Sequence, residues 1–313
     1  MNDIDKKALE FCKKFFCNEI HSELETCKLI IYTILKQLKN WTVDGERINF
    51  GNDKLTGLVW LKTIVPYLCH ENPCVKVLNG HTNDVNSVIK LNETTIVSGS
   101  DDRTLRVWDL TNDTSRVLRG HTRCVTLVME LNETTIVSGS YDRTLRVWDL
   151  TNDTSRVLRG HTNCVWSVMK LNETTIVSGS DDETLRVWDL TNDTSRVLYG
   201  HTDSVNSVMK LNETTIVSGS RDDTLRVWDL TNDTSRVLNG HTHYVWSVMK
   251  LNDTTIVSGS WDRTLRIWDL TNDTSRVLRG HTNAVYSVIK LNETTIVSGS
   301  DDNTLRVWDL TKI

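Results

Sequence analysis

A histidine, a serine and an aspartate recur along the chain in a combination that some hydrolases use for nucleophilic catalysis. His81, Ser98 and Asp102 form the first set, and the same residue types return every 40 residues, six times in all. In a catalytic triad the histidine takes the proton of the serine hydroxyl while the aspartate orients the imidazole, beside a substrate pocket and an oxyanion site. Six copies of one catalytic site in one chain would be unusual, so the repetition argues against an enzyme.

Cysteine and histidine also gather in the first part of the chain, where they could bind a metal. The two groups are Cys12, Cys17, His21 and Cys27, and Cys69, His70 and Cys74. Neither group has the paired Cys-x-x-Cys spacing of a structural zinc site. The sequence also lacks a glycine-rich phosphate-binding loop. We therefore predict no metal, no cofactor and no enzymatic activity.

The composition is typical of a globular protein, with 25% charged residues, 38% hydrophobic residues and a net charge of −5. This charge provides no overall basic field, so we expect neither nucleic acid nor an anionic membrane as a partner. No apolar run reaches the length of a membrane span, and the N-terminal sequence lacks the features of a secretory signal. We predict a cytoplasmic protein with reduced cysteines, and the nucleus stays open as an alternative.

The repeat has a constant length and consists of short predicted β-strands separated by turns. Gly-His at residue 80 and Trp-Asp at residue 108 each recur with a period of 40 residues, without insertion or deletion. The four predicted strands of the first unit are DVNSVIKL, TTIVSGS, TLRVWDL and SRVL. Four such strands form a small antiparallel sheet with two apolar faces, which must pack against neighbouring units. The repeat therefore predicts an all-β fold.

Together, Gly-His, the Ser-Gly-Ser-x-Asp turn and Trp-Asp closely resemble the WD-repeat β-propeller family over residues 75–313. The resemblance implies a propeller domain at 74–313 with six blades. A seventh blade drawn from residues 42–73 is the alternative, because Asp53–Lys62 faintly echoes the third strand of a repeat. The chain ends after the third strand of the last unit, and Cys74–Leu78 resembles the missing fourth strand. We predict that this strand pairs with the last blade and closes the ring.

The resemblance also implies a structural role for the triad-like residues. In WD-repeat propellers these positions form a hydrogen-bond network inside each blade, together with the tryptophan of Trp-Asp. The corresponding residues of the first unit are His81, Ser98, Asp102 and Trp108, with Ser100 as the alternative to Ser98. A buried network of this kind fixes the order of the strands only when every member has a partner.

Residues 1–73 lie outside the propeller and are predicted to form a small helical segment of unassigned role. Apolar residues from Leu9 to Leu38 recur at steps of three and four, which is the pattern of an amphipathic helix. Such a stripe packs within a small helical domain or serves self-association or docking. An F-box, which would indicate a ubiquitin-ligase receptor, usually opens with Leu-Pro, whereas the first proline here is Pro66.

The six repeats differ from one another in only a few columns, a column being the set of equivalent positions in all repeats. In the family, the turn before the network aspartate and the start of the first strand both reach one rim around the central channel. Residues 84 and 86 lie two apart and are expected to point to the same side of that strand. The variable residues include many aromatics and arginines, which are enriched at binding hot spots. The predicted partner-binding set is Asp84, Asn86, Asp101, Tyr141, Trp166, Arg221, Tyr244, Trp246, Trp261 and Tyr286.

These observations predict a non-enzymatic interaction scaffold that binds a protein or peptide on this rim. Two narrower roles are alternatives. One is a substrate receptor of a ubiquitin-ligase-type complex, with the N-terminal segment docking the machinery. The other is a recognition protein of the self/non-self or immune-like kind. In each case the energetic centre is expected in the fifth and sixth units, where Tyr244, Trp246, Trp261 and Tyr286 lie.

Overall fold

The computed structural model describes residues 43–44, 47–50, 53–56 and 76–312. The chain divides into two compact units, Met1–Leu78 and Asn79–Ile313. The predicted N-terminal helices and both cysteine–histidine groups lie outside the described residues. Along the residues that are described, no helix is both long and apolar enough to cross a bilayer.

In the first unit the described residues form a small antiparallel sheet. Its strands are β1 (Val43–Asp44), β2 (Arg47–Phe50) and β3 (Asp53–Thr56), joined in sequence order. The predicted helical segment at 1–73 does not account for this sheet, which lies within residues 42–73, the range of the alternative seventh blade. The signal that could have revealed it is the pair of glycine-containing dipeptides between the strands, Gly45-Glu46 and Gly51-Asn52, because two-residue hairpin loops favour glycine.

The second unit contains six consecutive antiparallel sheets, one for each repeat, which confirms the predicted all-β propeller with six blades. Within each blade the strands lie in sequence order. Blade 1 contains β4 (Val85–Lys90), β5 (Thr95–Ser100), β6 (Thr104–Asp109) and β7 (Thr114–Arg119). Blade 2 contains β8 (Val125–Asn132), β9 (Thr135–Ser140), β10 (Thr144–Asp149) and β11 (Thr154–Arg159). Blade 3 contains β12 (Val165–Asn172), β13 (Thr175–Ser180), β14 (Leu185–Asp189) and β15 (Thr194–Leu198). Blade 4 contains β16 (Val205–Lys210), β17 (Thr215–Ser220), β18 (Leu225–Asp229) and β19 (Thr234–Leu238); blade 5 contains β20 (Val245–Lys250), β21 (Thr255–Ser260), β22 (Thr264–Asp269) and β23 (Thr274–Arg279); blade 6 contains β24 (Val285–Asn292), β25 (Thr295–Ser300) and β26 (Leu305–Asp309), and the 3-10 helix Leu310–Lys312 follows it.

The two faces of each sheet carry different side chains, as the alternation of the sequence predicts. In β6, Leu105 and Val107 point to the face that packs against the next blade, and Leu105 is fully buried. Trp108 lies opposite Ile96 of β5 on the other face, beside the guanidinium of Arg106. Because apolar residues occupy both faces, a single blade would expose one of them to water, and the blades must stack.

Adjacent blades bury these faces against each other. Between blades 1 and 2, Leu105 and Leu118 pack with Val125, Ile136 and Trp148 in one hydrophobic cluster. Equivalent clusters join each later blade to the next, as far as blade 6. Burying one large aliphatic side chain contributes about 1.5–3 kcal/mol. The interfaces between blades therefore provide most of the apolar burial that stabilises the domain.

Polar side chains also connect neighbouring blades through the backbone. Arg116 on the fourth strand of blade 1 donates a hydrogen bond to the carbonyl of Leu150 at 2.6 Å and forms an ion pair with Asp153. In the opposite direction, Lys170 of blade 3 donates to the carbonyl of Leu131 at 2.6 Å. Counterparts of both bonds recur in later blades. These contacts give a physical reason why the columns concerned vary so little among the repeats.

Blade 6 ends the series without the contacts that the inner blades make on both sides. Its sheet has three described strands, and residues 76–80 form no strand. Leu305 and Val307, on the face away from blade 5, are 76% and 68% exposed, and Val85 of blade 1 is 54% exposed. Their counterparts in the inner blades are buried or nearly so. Pairing of Cys74–Leu78 with the last blade stays a prediction, because residues 74 and 75 lie outside the described part of the chain.

Candidate functional site

The triad-like residues form the predicted hydrogen-bond network in blade 1. His81 Nδ1 lies 2.7 Å from Asp102 Oδ2, and His81 Nε2 lies 2.7 Å from Ser98 Oγ. The indole N–H of Trp108 donates to the same Ser98 oxygen at 2.7 Å. The corresponding atoms repeat this arrangement in the other five blades. The network therefore links the loop before the first strand to the second and third strands.

The choice between the two serines is resolved by their hydrogen bonds. Ser98 belongs to the network, whereas Ser100 donates to the carbonyl of Asn83 at 3.2 Å and accepts the backbone N–H of Asp102 at 3.1 Å. Ser98 is 4% exposed, and both hydrogen-bonding roles of its hydroxyl are used. A triad serine must instead meet a substrate beside an oxyanion site. The geometry of the set is that of a triad, but its buried position suits a structural contact.

The network aspartate is held in its ionised form. Burial alone would raise the pKa of Asp102, but hydrogen bonds from Thr104, His81 and the backbone N–H of Thr82 lower that pKa well below its usual range. The pKa of each equivalent aspartate moves in the same direction. The ionised carboxylate accepts a hydrogen bond from the Nδ1–H of the histidine. The Nε2 of the same imidazole then accepts a hydrogen bond from the serine hydroxyl.

Seven of the ten predicted partner-binding residues come together in one continuous cluster, named here the aromatic rim cluster. Its members are Tyr141, Trp166, Arg221, Tyr244, Trp246, Trp261 and Tyr286. The rings of Tyr141 and Trp166 meet edge-on with 5.2 Å between their centroids. The guanidinium carbon of Arg221 lies 5.6 Å from the Trp166 centroid, 5.9 Å from that of Tyr244 and 5.3 Å from that of Trp246. Arg221 thus joins the aromatic residues of blades 2 and 3 to those of blade 5.

The second half of the aromatic rim cluster spans blades 5 and 6. Tyr244 stacks on Trp261, with 5.2 Å between centroids and 28° between ring planes. The indole N–H of Trp261 donates to the hydroxyl of Tyr286 at 3.0 Å, and Tyr286 lies 5.4 Å from the Trp246 ring. Trp261 and Tyr286 are 37% and 36% exposed, whereas the other members are half-buried. Two members of the aromatic rim cluster are therefore exposed, and the others cover one another.

The six repeats match the WD domain, G-beta repeat family at residues 72–109, 112–149, 152–189, 192–229, 232–269 and 272–309. These matches span most of the chain. The chain belongs to the WD-repeat family. Each match after the first begins at the fourth strand of one blade and ends at the Trp-Asp of the next. Each of these five repeats therefore bridges two blades, which is why the repeat boundaries in the sequence and the sheet boundaries differ.

The solved structure of U3-55K is similar to this WD-repeat chain. The TM-score is 0.67 at 22% sequence identity, covering 75% of this chain and 80% of that chain. At this identity the similarity shows the fold alone. No curated protein matches the chain.

The remaining three predicted residues of the WD-repeat rim lie in blade 1 and form polar contacts. Asn86 donates through Nδ2 to Asp101 Oδ1 at 2.6 Å and to the carbonyl of Val125 at 3.0 Å. The carbonyl of Asp84 accepts the backbone N–H of Asp101 at 2.9 Å. The side chains of the two variable columns at 86 and 101 thus meet, as those of Trp246 and Trp261 do in blade 5.

The predicted reason for this convergence was wrong in part. Asp84 precedes β4, which begins at Val85, and the strand register shifts between Val85 and Ser87. The same shift occurs at the start of every first strand. A β-bulge re-aims the side chain of its extra residue. The columns of residues 84 and 86 therefore meet the turn column through a bulge and not through simple alternation along a strand.

The predicted set also omits His243, which the structure places against the aromatic rim cluster. Its ring centroid lies 4.3 Å from that of Tyr244 and 5.1 Å from that of Trp261. Its column varies among the repeats, and that variation was the available signal. A cleft of about 420 Å³ opens beside Trp261 and is also lined by His243, Arg263 and Arg279.

Proposed function

We propose that this WD-repeat protein is a non-enzymatic interaction scaffold that binds a protein or peptide on the aromatic rim cluster. The observation that carries the proposal is the continuity of that cluster across blades 2 to 6. Its residues come from columns that vary, whereas the network and packing columns hardly change. Drift at solvent-exposed positions would seldom produce seven mutually contacting side chains of this kind.

The aromatic residues are not required by the fold at these positions. Trp261 and Asp101 occupy the same turn position, yet the network histidine–serine distance is 2.7 Å in both blades. A large aromatic at such a site adds contact area with little conformational entropy to lose, and tryptophan, tyrosine and arginine are the residue types enriched at binding hot spots. The cluster therefore supports binding and not folding.

The shape of the surface favours a peptide or protein over a small molecule. The cluster extends over five blades instead of enclosing one pocket, and the neighbouring cleft of about 420 Å³ is open along one side of Trp261. Small-molecule sites usually enclose most of their ligand. A side chain from a partner fits the cleft while the rest of the partner covers the cluster.

The two narrower roles stay predictions. A ubiquitin-ligase receptor would use residues 1–73 to dock the machinery, and the predicted helices of that segment lie outside the described residues. A self/non-self recognition role is supported by the contrast between the constant scaffold and the variable rim. Location in the cytoplasm, or alternatively the nucleus, is likewise predicted from the sequence alone.

The test is a comparison of partners captured by three forms of the full chain. The forms are the wild type, the double variant Trp246→Ala with Trp261→Ala, and the control Tyr199→Ala. Tyr199 is a variable aromatic that is 77% exposed and lies outside the cluster. Quantitative mass spectrometry identifies the proteins that depend on the two tryptophans, and binding is then measured with the purified partner. We expect a loss of about 2–4 kcal/mol for each hot spot in the double variant and none in the control.

Folding of each form is checked by its thermal midpoint. A folded double variant that keeps the wild-type set of partners and affinities would contradict the proposal. Loss of partners in the Tyr199→Ala control to the same extent would also contradict it, because the binding would then not be specific to the aromatic rim cluster.

A further inference from the structure

Arg221 lies among the rings of the aromatic rim cluster, where none of the described residues provides an acceptor for its guanidinium. It sits over Trp166, Tyr244 and Trp246. Its Nε is buried and has no hydrogen-bond partner, and within the described residues no carboxylate forms an ion pair with its guanidinium. A guanidinium carries five N–H donors in a planar fork. Here the rings hold that fork in place, and the described residues supply no hydrogen-bond acceptor for it.

The other partly buried arginines differ from Arg221 in this respect. Arg106 and its equivalents also have a buried, unpaired Nε. However, the Arg106 Nη atoms donate to the hydroxyl of Ser115 at 3.0 Å and to the carbonyl of Gly80 at 2.7 Å. Arg116 and its equivalents form ion pairs with aspartates of the next blade. The fold thus provides acceptors for the arginines that it uses to join strands and blades, and Arg221 is not among them.

Two further polar atoms at the junction of blades 4 and 5 are also unsatisfied. The indole nitrogen of Trp246 and the side-chain oxygen of Asn206 are buried without a partner, although Asn206 donates through Nδ2 to the carbonyl of Val245 at 3.1 Å. Buried polar groups of folded proteins nearly always have a partner, so an unsatisfied group calls for an explanation. Asn206, Arg221 and Trp246 belong to the variable rim columns, whereas the other unsatisfied buried atoms are the Nε of Arg106 and its equivalents and the hydroxyl oxygens of Ser167 and Ser247.

The charges around the aromatic rim cluster indicate which ligand chemistry fits. The cleft beside Trp261 adds Arg263 and Arg279, which are exposed. Burial together with neighbouring aspartates raises the pKa of Asp223, against the lowering effect of His243. The cluster also contacts carboxylates, because Asp181 accepts the indole N–H of Trp166. Arg221, Arg263 and Arg279 supply its positive groups between blades 4 and 6, and among the described residues no carboxylate pairs with Arg221.

We infer that the partner presents an aspartate or glutamate side chain to Arg221, flanked by apolar or aromatic residues that cover the rings of the aromatic rim cluster. This inference rests on the proposed function and specifies its ligand class as an acidic peptide segment. The carboxylate accepts the two parallel N–H donors of the guanidinium fork, which is the strongest common pairing for this side chain. The surrounding rings exclude water and strengthen the pair.

A selection from a random, unphosphorylated 12-residue peptide library displayed on phage tests the inference with the full chain as bait. The wild type should enrich peptides with an acidic residue next to aromatic or aliphatic ones. Arg221→Gln should abolish that acidic preference. Arg221→Lys, which keeps the charge but not the fork, should weaken it. The control Arg103→Gln removes an exposed arginine from the equivalent of the Arg263 position in blade 1 and should change nothing.

Affinities of the best peptide and of its Glu→Gln or Asp→Asn form, measured by fluorescence anisotropy, examine the same contact without altering the protein. Loss of the peptide carboxylate should weaken binding by about 10- to 100-fold on the wild type and by less than about threefold on Arg221→Gln. This peptide-side measurement decides the question if Arg221→Gln does not fold.

The failure of this inference can be told apart from that of the proposed function. Captured peptides that need Trp246 and Trp261 but show no acidic preference would overturn the carboxylate inference and leave rim binding in place. An acidic preference that survives in Arg221→Gln would also overturn it. Capture of no peptide at all, or capture that is unchanged in the double tryptophan variant, would overturn both.

Discussion

Replacing Gly219 with alanine should destabilise the propeller through a single steric conflict. Gly219 lies on β17 of blade 4, against the first strand of blade 5. A Cβ atom there would lie 2.6 Å from Val245 Cγ1 and 2.9 Å from Val248 Cγ2. Val245 is fully buried, so it cannot move aside without disturbing the packing between the blades. Overpacking of this kind costs about 1–3 kcal/mol.

Gly299 provides the matched control, because it is the equivalent residue of blade 6. The nearest atom to a Cβ there is Leu305 Cδ2 of its own blade, at 3.4 Å, which is an ordinary contact. Neither glycine has a left-handed backbone conformation, so alanine adds no backbone strain at either position. We expect Gly299→Ala to lie within about 0.5 kcal/mol of the wild type, or to be slightly more stable because alanine restricts the unfolded chain.

The assay is urea unfolding followed by tryptophan fluorescence, supported by thermal midpoints. A loss of 2 kcal/mol corresponds to a shift of about 4–8 °C for a domain of this size. Wild-type stability in Gly219→Ala would refute the packing argument. An equal loss in both variants would mean that a further sheet or strand covers the exposed face of blade 6 in solution, as the predicted ring closure requires.

Two further predictions concern the network inside each blade. Ser178→Ala should lower the free energy of unfolding by about 2–5 kcal/mol, because it leaves two buried groups, His161 Nε2 and the indole N–H of Trp188, without a partner. The exposed control Ser287→Ala should change the free energy of unfolding by less than about 0.5 kcal/mol. Equal effects of the two variants would contradict the structural role of Ser178. For the network aspartate of blade 5, burial opposes ionisation of Asp262, but hydrogen bonds lower its folded-state pKa below the unfolded value of about 3.9. Its contribution to stability is therefore present above about pH 4 and is lost as the pH falls below that value. Between pH 4 and pH 2, unfolding of Asp262→Asn should take up about one proton fewer than unfolding of the wild type. The proton uptake is measured as the slope of the unfolding free energy against pH. A slope equal to that of the wild type would refute this assignment.

Much of the fold could be predicted from the sequence because six copies of the repeat carry the same pattern. A constant period, alternating strands and the Gly-His and Trp-Asp positions were sufficient for the blades and for the network of His81, Ser98, Asp102 and Trp108. The sheet of β1 to β3 occurs once and has strands of two to four residues, so no repeated pattern supports it. Ring closure depends on a contact between the two ends of the chain, and periodicity says nothing about how such ends meet.

The sequence was sufficient to predict which columns supply the candidate site, but not which of its side chains touch one another. Comparison of the repeats shows which positions change, and this was enough to select Trp166, Arg221 and Trp246. It could not show that Arg221 lies among three rings, because that depends on side-chain conformations in two neighbouring blades. Nor could it show the β-bulge at the start of each first strand, because a bulge is a property of strand pairing and not of residue order.

The six near-identical blades act as internal controls for the functional argument. Blade 1 folds with Asn86 and Asp101 at the positions where blade 5 has Trp246 and Trp261, and both pairs of side chains make contact. Because the network and the packing columns are the same in both blades, a blade can form with either pair. A residue that the fold does not require, in a column that differs from blade to blade, suits the proposed role in binding a partner. The guanidinium of Arg221 fits the proposed role, because the described residues supply no acceptor for it and a partner can provide one.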